Sequence, residues 1–594
     1  MLANDVLQEY GVPEKCRRDR DQKWNGWGYK DSEFRLNKQK QVCFTGNRYD
    51  ISGKVIPNFR GWFEQYLGVD ITYETPSQDH MSAEFIPKAT LNADFVDWLK
   101  EQRISFSNDK QLRLNRAHGH TLRDMMLLRN GRFARVPDVV VWPKSHDECV
   151  KLVNAADRMQ VAIIPIGGGT SVSSALECPR EERRSVCSVD MSLMDRILWI
   201  DPKNQLVRAE AGINGQQLEQ QLTAKGFTTG HEPDSIEFSS LGGWVATRAS
   251  GMKKNKYGNI EELLVHVTVV TTRGVLQKSC QVPRISAGPD IHEFILGSEG
   301  TLGLITEVTL KICATPECKR FGSILFHSFE SGVQCMREVA RQKCWPASMR
   351  LMDNEQFVMG QAMKVAPDSY FEVISSKLKK LYVTKWRRYK PDEMCAATLV
   401  FEGAREEVDQ QEQRVYEIAK AFDGMPAGAE NGKYGYRLTF AIAYLRDLAL
   451  NYSVCGESFE TSVPWDKTYD LCRNVKQLLQ RESKRHGIQY PILASCRVTQ
   501  LYDSGACVYF YFGFNYRGLN DPLHVYEEIE EAARNEILAC GGSISHHHGI
   551  GKLRAKWLPD TVGQVGLQAL RAVKHELDPN NTFACGNLFA AAKL

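Results

Sequence analysis

Three adjacent histidines, His546, His547 and His548, precede the residues Gly-Ile-Gly-Lys. Imidazole gains and loses a proton near neutral pH, and it also binds divalent metals. In an extended run, His546 and His548 would share one face and His547 would take the other. Because no cysteine or further histidine stands at zinc-ligand spacing nearby, the run favours acid–base catalysis or substrate polarisation over a metal site.

Two tyrosines in a predicted strand could also transfer a proton. Tyr509 and Tyr511 alternate with apolar residues within 507–512, so both phenols lie on one face of the strand. They are either half-buried core residues or phenols that face a cavity, and the pattern leaves both interpretations open.

Two arginines in apolar surroundings need a partner. Arg446 lies in a mostly apolar segment that predicts a helix over about 438–450. A guanidinium there either pairs with a distant carboxylate or binds an anion such as phosphate. The adjacent Asp447 points to another part of the helix and is a poor partner. Arg350 could equally belong to an interior salt bridge.

A glycine-rich loop offers a site for an anion. Residues 165–172 read Pro-Ile-Gly-Gly-Gly-Thr-Ser-Val and follow an apolar run that predicts a buried strand. Three glycines let backbone amides face a pyrophosphate, and Thr170 and Ser171 add hydroxyl donors. A tight glycine turn explains the loop equally well. The spacing matches neither a dinucleotide-binding Gly-x-Gly-x-x-Gly nor a P-loop.

The elements around this loop predict one mixed domain. From about 135 to 313 predicted strands and helices alternate, and a helix over 145–158 begins with capping-box spacing. Loops rich in glycine and hydroxyl groups at 165–171, 241–251 and 297–303 each adjoin a strand. Three such loops indicate a single extended ligand that is held at several points.

Composition and the chain ends restrict the function classes. The chain has 594 residues and a formal net charge of +3, which gives no reason to expect nucleic-acid binding. Its 17 cysteines lack CxxC pairs and favour free thiols. The polar amino terminus carries no secretory signal, and no apolar run reaches the ~20 residues of a membrane span. The tail Ala592-Lys593-Leu594 is typical of a peroxisomal import signal. The aromatic cluster at 24–29 is interpreted as a structural anchor.

Several of these segments resemble one flavoprotein family. The sequence is similar to the alkyldihydroxyacetonephosphate synthases, within the vanillyl-alcohol-oxidase/PCMH class of FAD-binding proteins. The matching segments are Lys23–Tyr29, Pro165–Val172, Thr247–Lys254, Arg350–Asp353, Gly456–Ser462, Cys507–Phe512 and His546–Lys552. The histidine triplet is the most discriminating, because related FAD-dependent 2-hydroxyacid dehydrogenases usually have one histidine there.

The resemblance implies an α+β fold with a two-subdomain, PCMH-type FAD-binding domain and an α+β cap domain. The expected parts are an amino-terminal segment (1–132), the FAD-binding domain (133–315), the cap or substrate domain (316–520) and a helical carboxyl-terminal segment (521–594). The last part would contribute the histidine loop.

The resemblance also implies a non-covalent FAD, because no histidine in the first loop could tether the flavin, and no metal. The pyrophosphate would bind the first loop. The implied FAD-binding residues are Pro165, Ile166, Gly167, Gly168, Gly169, Thr170, Ser171, Asp234, Ser235, Ile236, Glu237, Phe238, Ser239, Ser240, Thr247, Arg248, Ala249, Ser250, Glu299, Gly300, Thr301, Leu302, Gly303, Leu304 and Ile305.

The family reaction exchanges the acyl chain of acyl-dihydroxyacetone phosphate for a fatty alcohol, through a covalent flavin N5 adduct and without net redox change. By resemblance, Arg446 would bind the substrate phosphate and Tyr509 would exchange a proton near the reacting carbon. His546, His547 and His548 would assist proton removal, and Arg350 would be a positioning residue. The alternative is an FAD-dependent 2-hydroxyacid dehydrogenase of the same fold.

The implied partners are acyl-dihydroxyacetone phosphate, a long-chain fatty alcohol and a second copy of the chain. Because both substrates are lipids, the resemblance also implies peripheral contact with the lumenal face of the peroxisomal membrane. Some family members carry an amino-terminal peroxisomal signal, and here Ala592-Lys593-Leu594 would bind the import receptor instead.

Overall fold

The computed structural model describes residues 7–14, 16–75, 77, 85–130, 133–366, 385, 387, 389–583 and 585–589. The import tail at 592–594 therefore lies outside the described residues. Within the described part, no helix has both the length and the apolar character needed to cross a bilayer. All 17 cysteines are free thiols, which confirms the prediction from their spacing.

The first glycine loop follows a strand of a five-stranded sheet. The strand order is Glu9–Tyr10, Ser105–Ser107, Val139–Trp142, Val186–Asp190 and Ala162–Ile166, and the last three strands are parallel. The helix His146–Arg158 connects two of them, and the Ser145 hydroxyl caps it by accepting from the Glu148 amide at 3.2 Å. The strand continues through Pro165, which its position at the sheet edge tolerates.

A second five-stranded sheet, entirely antiparallel, positions the other two loops. Its strand order is Gly274–Leu276, Leu264–Thr271, Leu304–Lys311, Leu206–Glu210 and Ile197–Asp201, and the helix Gly215–Thr223 packs on it. Part of the predicted loop at 241–251 is instead the helix Leu241–Thr247, capped by Ser240. The helix packs so closely on Ala211 that a Cβ on Gly242 would lie 2.9 Å from the Ala211 Cβ. Only glycine permits this approach.

A seven-stranded antiparallel sheet forms the opposite wall of the site. Its strand order is Met425–Pro426, Cys318–Phe326, Cys395–Gly403, Ser348–Met352, Ile492–Leu501, Gly505–Asn515 and Val454–Pro464. One face is covered by helices whose apolar residues form a large core with the strands. These helices are Phe329–Arg341, Arg405–Ala421, Trp465–Arg485 and Pro522–Ala539. The opposite face carries Tyr509 and Tyr511, whose common face was predicted from their spacing.

The helix predicted over 438–450 is two helices, Ala429–Ile442 and Leu445–Asn451. They separate at Tyr444, which is fully buried and whose hydroxyl accepts from the Tyr29 amide at 3.0 Å. Tertiary contacts thus override the continuous helical pattern.

The amino-terminal residues fold against both larger units. They include the strands Phe34–Leu36, Val42–Phe44 and Val55–Ile56 and the helices Arg17–Asp21, Phe59–Leu67, Ala93–Glu101, Lys110–Leu114 and Leu122–Asn130. The Trp27 ring packs 5.4 Å from Phe238, as an anchor would, but Trp27 also lines the cavity between the domains, which the structural interpretation did not expect. After Pro522–Ala539 the chain forms the histidine loop and then the helix Leu558–Leu577.

Candidate active site

A cavity of about 470 Å³ lies between the glycine loops and the seven-stranded sheet. Its lining includes the predicted residues Pro165, Ile166, Gly167, Gly168, Gly169, Thr170, Ser171, Asp234, Ser235, Ser239, Ser240, Thr247, Ala249, Ser250, Glu299, Gly300, Gly303, Leu304 and Ile305. The same cavity is lined by Tyr509, His547, His548, Arg350 and Arg446. The fold therefore brings together residues from segments that are far apart in the sequence.

Three apolar residues of the predicted FAD-binding segments do not line the cavity. Ile236 and Leu302 belong to the core under the second sheet, and Phe238 packs against Trp27 and Tyr29. A loop that presents one side to a ligand has to bury its other side. A prediction made from continuous segments therefore includes residues whose side chains face away from the cavity.

Three polar residues of these segments also turn away from the cavity. Glu237 accepts a hydrogen bond from the Tyr49 hydroxyl at 2.9 Å. Arg248 is half-exposed and pairs with two glutamates, and the Thr301 hydroxyl donates to the Ser298 carbonyl. These groups support the loops that line the cavity.

The first glycine loop is a cradle that side chains would fill. A Cβ on Gly167 would lie 2.1 Å from the Ser240 hydroxyl, and one on Gly168 would lie 2.1 Å from the Phe238 carbonyl oxygen. Gly169 has φ +70°, and a Cβ there would meet the Arg18 guanidinium. Arg18 donates to the Gly168 carbonyl at 3.0 Å, which holds the loop from the side of the amino-terminal segment. Bare backbone and hydroxyl groups of this kind fit the diphosphate of FAD.

The histidine run is a loop and not the extended segment considered from the sequence. Glu460, fully buried on the strand Val454–Pro464, accepts from the His548 amide at 3.0 Å and from the Ser545 hydroxyl at 2.7 Å. It also accepts from the His546 amide. One carboxylate thus fixes the backbone that carries all three imidazoles.

A second buried carboxylate holds the other end of this loop. The Glu299 carboxylate accepts from the amides of Ile550 and Gly551, both at 2.6 Å. Because Glu299 belongs to the third glycine-rich loop, these bonds couple the histidine loop directly to the predicted cofactor-binding wall.

Tyr509, His548 and Glu460 form a chain of polar contacts. The Tyr509 hydroxyl lies 2.6 Å from His548 Nε2, and His548 Nδ1 lies 3.5 Å from a Glu460 carboxylate oxygen. His548 Nδ1 makes no hydrogen bond among the described residues, but the negative charge of Glu460 at 3.5 Å favours a proton on Nδ1, which leaves Nε2 to accept from the phenol. This order of hydroxyl, imidazole and carboxylate is the one that activates a hydroxyl in acid–base catalysis.

His546 differs from its two neighbours because it does not line the cavity. Its Nε2 lies 2.6 Å from the Tyr502 hydroxyl, and its Nδ1 lies 2.8 Å from His547 Nδ1. The expected common face for His546 and His548 is therefore wrong, because the loop bends between them.

Burial sets the protonation states of these groups. It lowers the pKa of His548 well below its usual value and that of His546 to about 3, so both imidazoles are neutral. Burial raises the pKa of Tyr509 well above its usual value. Burial also acts to raise the pKa of Glu460, but the positive charges that His547, His548 and His546 acquire when they are protonated, together with Arg534, outweigh it and hold that pKa well below the usual range.

Arg350 takes part in a cluster of charges at the cavity wall. It donates to Asp234 at 3.0 Å and to the Thr439 hydroxyl at 2.9 Å. Arg497 lies 3.5 Å from the same aspartate, and its guanidinium stands 4.8 Å from the Tyr509 ring centre. Burial opposes ionisation of Asp234, but the two arginines outweigh it and lower the pKa of Asp234. Arg350 thus bonds to a predicted cofactor-binding residue, next to the tyrosine.

Arg446 has a carboxylate partner, one of the two alternatives left by the sequence. Its Nη1 lies 3.6 Å from Glu457, and it also donates to the His120 carbonyl. Arg446 Nε is buried and has no hydrogen-bond partner among the described residues. Burial raises the pKa of Glu457 to about 7. The ion pair is therefore incomplete near neutral pH, which leaves Arg446 able to bind an anion.

One end of the cavity is apolar. It is lined by Phe59, Trp62, Phe63, Leu67, Met359, Leu445 and Leu448. These residues come from the helix Phe59–Leu67 and from two other helices next to it. Such a lining is suited to a hydrocarbon chain.

Sequence reasoning assigned no role to Glu460, Glu457, Arg497 or His231. Both ring nitrogens of His231 are buried without a partner among the described residues. Glu460 was visible only as a charged residue next to Phe459 within the matching segment Gly456–Ser462, and this pattern gave no specific signal of a buried partner.

Comparisons with known proteins agree with this geometry. Residues 137–279 match the family model "FAD binding domain", and residues 315–588 match "FAD linked oxidases, C-terminal domain". An alkyldihydroxyacetonephosphate synthase of Caenorhabditis elegans is 61% identical over 99% of this chain and 98% of its own length. One of Dictyostelium discoideum is 31% identical over 94% of this chain and 92% of its own length.

Solved structures give the same result. A structure of alkyldihydroxyacetonephosphate synthase is 30% identical, with a TM-score of 0.82 over 95% of this chain and 98% of that chain. p-Cresol methylhydroxylase is 13% identical, with a TM-score of 0.62 over 86% of this chain and 98% of that chain, and shows the fold alone. The α+β fold and the FAD cofactor expected from the sequence are confirmed. The chain therefore belongs to the alkyldihydroxyacetonephosphate synthase family and carries the two domains of the FAD-linked oxidases.

Proposed function

We propose that this protein is an FAD-dependent transferase that exchanges the acyl chain of acyl-dihydroxyacetone phosphate for a fatty alcohol and so forms an ether bond. One observation carries the proposal. A single cavity combines a glycine cradle, a phenol–imidazole–carboxylate chain, an arginine with an incomplete ion pair and an apolar end.

The cofactor is held by backbone and hydroxyl groups of the cavity-lining loops, without a covalent bond. Gly167, Gly168 and Gly169 would present amides to the diphosphate, and the hydroxyls of Thr170 and Ser171 would add donors beside them. When bound, FAD supplies an electrophilic ring system that takes part without net electron transfer. Glu299 keeps the histidine loop at a fixed place relative to this wall.

Tyr509 is the proton donor and acceptor. The Tyr509 hydroxyl first passes its own proton to His548 Nε2, 2.6 Å away, and the resulting phenolate takes a proton from the substrate carbon; the same path in reverse returns a proton. Glu460 stabilises the imidazolium that forms when His548 takes the proton. His547 lines the cavity beside them and polarises the substrate oxygen, while His546 supports His547 from behind. The protonated resting state of Tyr509 follows from its raised pKa.

Arg446 binds the substrate phosphate. The unpartnered Nε of this guanidinium can donate to a phosphate oxygen, and charge-assisted bonds of this kind are strong. Protonation of Glu457, whose burial raises its pKa to about 7, removes the competing charge when the dianion enters. Arg350 positions Asp234 through the hydrogen bond between them. The apolar end of the cavity takes the acyl or alkyl chain.

The proposal extends to the oligomeric state, the membrane contact and the cellular location of the protein. The protein acts as a homodimer in peripheral contact with the lumenal face of the peroxisomal membrane, and it is imported through Ala592-Lys593-Leu594. The chemistry of a lipid substrate and the apolar cavity end support this assignment. Light scattering of the purified chain tests the dimer, and sedimentation with liposomes tests the membrane contact.

The test of the reaction uses flavin-loaded protein without an added electron acceptor. Acyl-dihydroxyacetone phosphate and radiolabelled hexadecanol are supplied together, and ether-linked product and the flavin absorption spectrum are followed. We expect many turnovers while the flavin stays oxidised. A protein that makes no ether product but whose flavin is bleached by small 2-hydroxyacids would instead be a dehydrogenase of the same fold.

A further inference from the structure

Cys507, His546 and His547 bring three potential metal ligands together behind the cavity wall. Each offers one ligand atom, and the three atoms all lie within 4.8 Å of one another. Cys507 is fully buried and stands two residues before Tyr509, hence on the same face of the strand. No cysteine stands at ligand spacing beside the histidines along the chain, but the fold brings the Cys507 thiol to them from the strand Gly505–Asn515.

The two imidazoles converge on one point. His546 Nδ1 and His547 Nδ1 are 2.8 Å apart, so they share a single proton, because two nitrogen lone pairs at this distance repel each other. A divalent cation can replace that proton. His546 Nε2 is already held by the Tyr502 hydroxyl at 2.6 Å, as the second nitrogen of a metal-binding histidine usually is.

We propose that Cys507, His546 and His547 form a Zn²⁺ site that inhibits the enzyme. One thiolate and two imidazoles are a ligand set that Zn²⁺ favours, and three protein ligands leave the fourth tetrahedral position to water. On binding, the thiol gives its proton to solvent, and the proton shared by the two Nδ1 atoms moves to the free ring nitrogen of His547. No electron transfer is involved.

Inhibition follows from where the ligands lie. His547 lines the cavity, and the loop that carries it also carries His548, the partner of Tyr509. Zn²⁺ would bind the two Nδ1 atoms of His546 and His547, which face each other, and would therefore hold the histidine loop in one conformation. Zinc is therefore not a cofactor of the reaction but a ligand that stops it, and its binding can be measured without any activity assay.

The experiment uses flavin-loaded full-length protein from which metals have been removed by chelation. Zn²⁺ is supplied in a metal buffer, and bound metal is measured by equilibrium dialysis. We expect one Zn²⁺ per chain in wild type and binding at least ~10-fold weaker in Cys507→Ala. Co²⁺ added in place of Zn²⁺ should give ligand-field absorption beyond the flavin bands in wild type, and this signal should be lost in Cys507→Ala.

Two further variants keep the proposal falsifiable. Cys395→Ala removes a thiol that is equally buried in the same sheet and should leave Zn²⁺ binding unchanged. Tyr502→Phe removes the hydrogen bond to His546 Nε2 and should weaken Zn²⁺ binding by ~10–100-fold. The proposal is overturned if wild type binds no Zn²⁺, or if Cys507→Ala binds it as tightly as wild type. Inhibition that persists in Cys507→Ala would place the inhibitory metal elsewhere.

Discussion

The two walls of the cavity are built on opposite principles. The wall of glycine loops presents backbone and small hydroxyls, and its fit depends on side chains that are missing at Gly167 and Gly168. The opposite wall presents ionisable side chains, with Tyr509 and Arg350 on the seven-stranded sheet and Arg446 on the helix Leu445–Asn451. A wall without side chains can bind a large cofactor closely, whereas a wall of charged groups can move protons and hold anions. Substitutions on the two walls should therefore have separable effects.

The largest effect on activity is expected from Tyr509→Phe. Loss of the phenolic proton should lower kcat by about 10³-fold, since acid–base catalysis by one group contributes this order. The flavin content should not change, because the tyrosine belongs to the opposite wall. Steady-state kinetics and the ratio of flavin to protein absorbance measure the two quantities, and a variant that keeps most of its activity would refute the role of the phenol.

On the glycine wall, Gly168→Ala should have the converse effect. Its Cβ would lie 2.1 Å from the Phe238 carbonyl oxygen, so the loop has to move, and we expect FAD affinity to fall by about 10²-fold. Activity should return at saturating FAD. Gly360→Ala is the matched control, because a Cβ there meets nothing within 4 Å. Equal FAD affinity in both variants would contradict the cradle.

Glu460→Gln tests the organisation of the catalytic wall. Removing the charge leaves the imidazolium that forms on His548 during proton transfer without a counter-ion, so we expect kcat to fall by ~10–100-fold and the pH profile of kcat to shift. A purely structural role would lower the flavin content and melting temperature but leave the pH profile of the remaining activity unchanged.

Arg446→Lys should have a smaller effect that depends on the substrate. Lysine keeps the charge but loses the fork of donors, so KM for the phosphate-bearing substrate should rise by about 10-fold with a smaller change in kcat. The KM for the fatty alcohol is the internal control. An equal change in both KM values would contradict a phosphate contact.

The last prediction concerns stability instead of activity, and it compares the two glutamates that hold the histidine loop. Burial raises the pKa of Glu299 from 4.5 to about 7, so its protonated form favours the folded state. That contribution is complete below about pH 4.5 and is lost as pH rises through about 7. Between pH 5 and 8, the free energy of unfolding of wild type should fall by roughly 3 kcal/mol at most relative to that of Glu299→Gln, as measured by urea unfolding. Glu460, whose pKa is lowered, should contribute no change in this range.

The glycine wall was largely predictable from the sequence, because strand, turn and glycine patterns are local. The loop at 165–171 and the helix after Ser145 were found in this way. For the catalytic wall, the sequence predicted which residue types take part but not which of them contact each other. That Glu460 binds the backbone of the histidine loop and that Cys507 lies beside His546 depend on strand pairing between distant segments. The break at Tyr444 was missed for the same reason, since buried contacts with the amino-terminal segment decide it.

Arg18 on the Gly168 carbonyl and Glu299 on the histidine loop imply an order of events during synthesis. The cofactor cradle depends on Arg18, near the beginning of the chain. The histidine loop lies near the end of the chain and is held by Glu299, in the middle of it. A nascent chain that stops before residue 545 lacks the loop that closes the cavity, although its glycine loops are already made. Contacts between such distant segments form late in folding. Flavin fluorescence of ribosome-bound chains would therefore report the completion of the polypeptide.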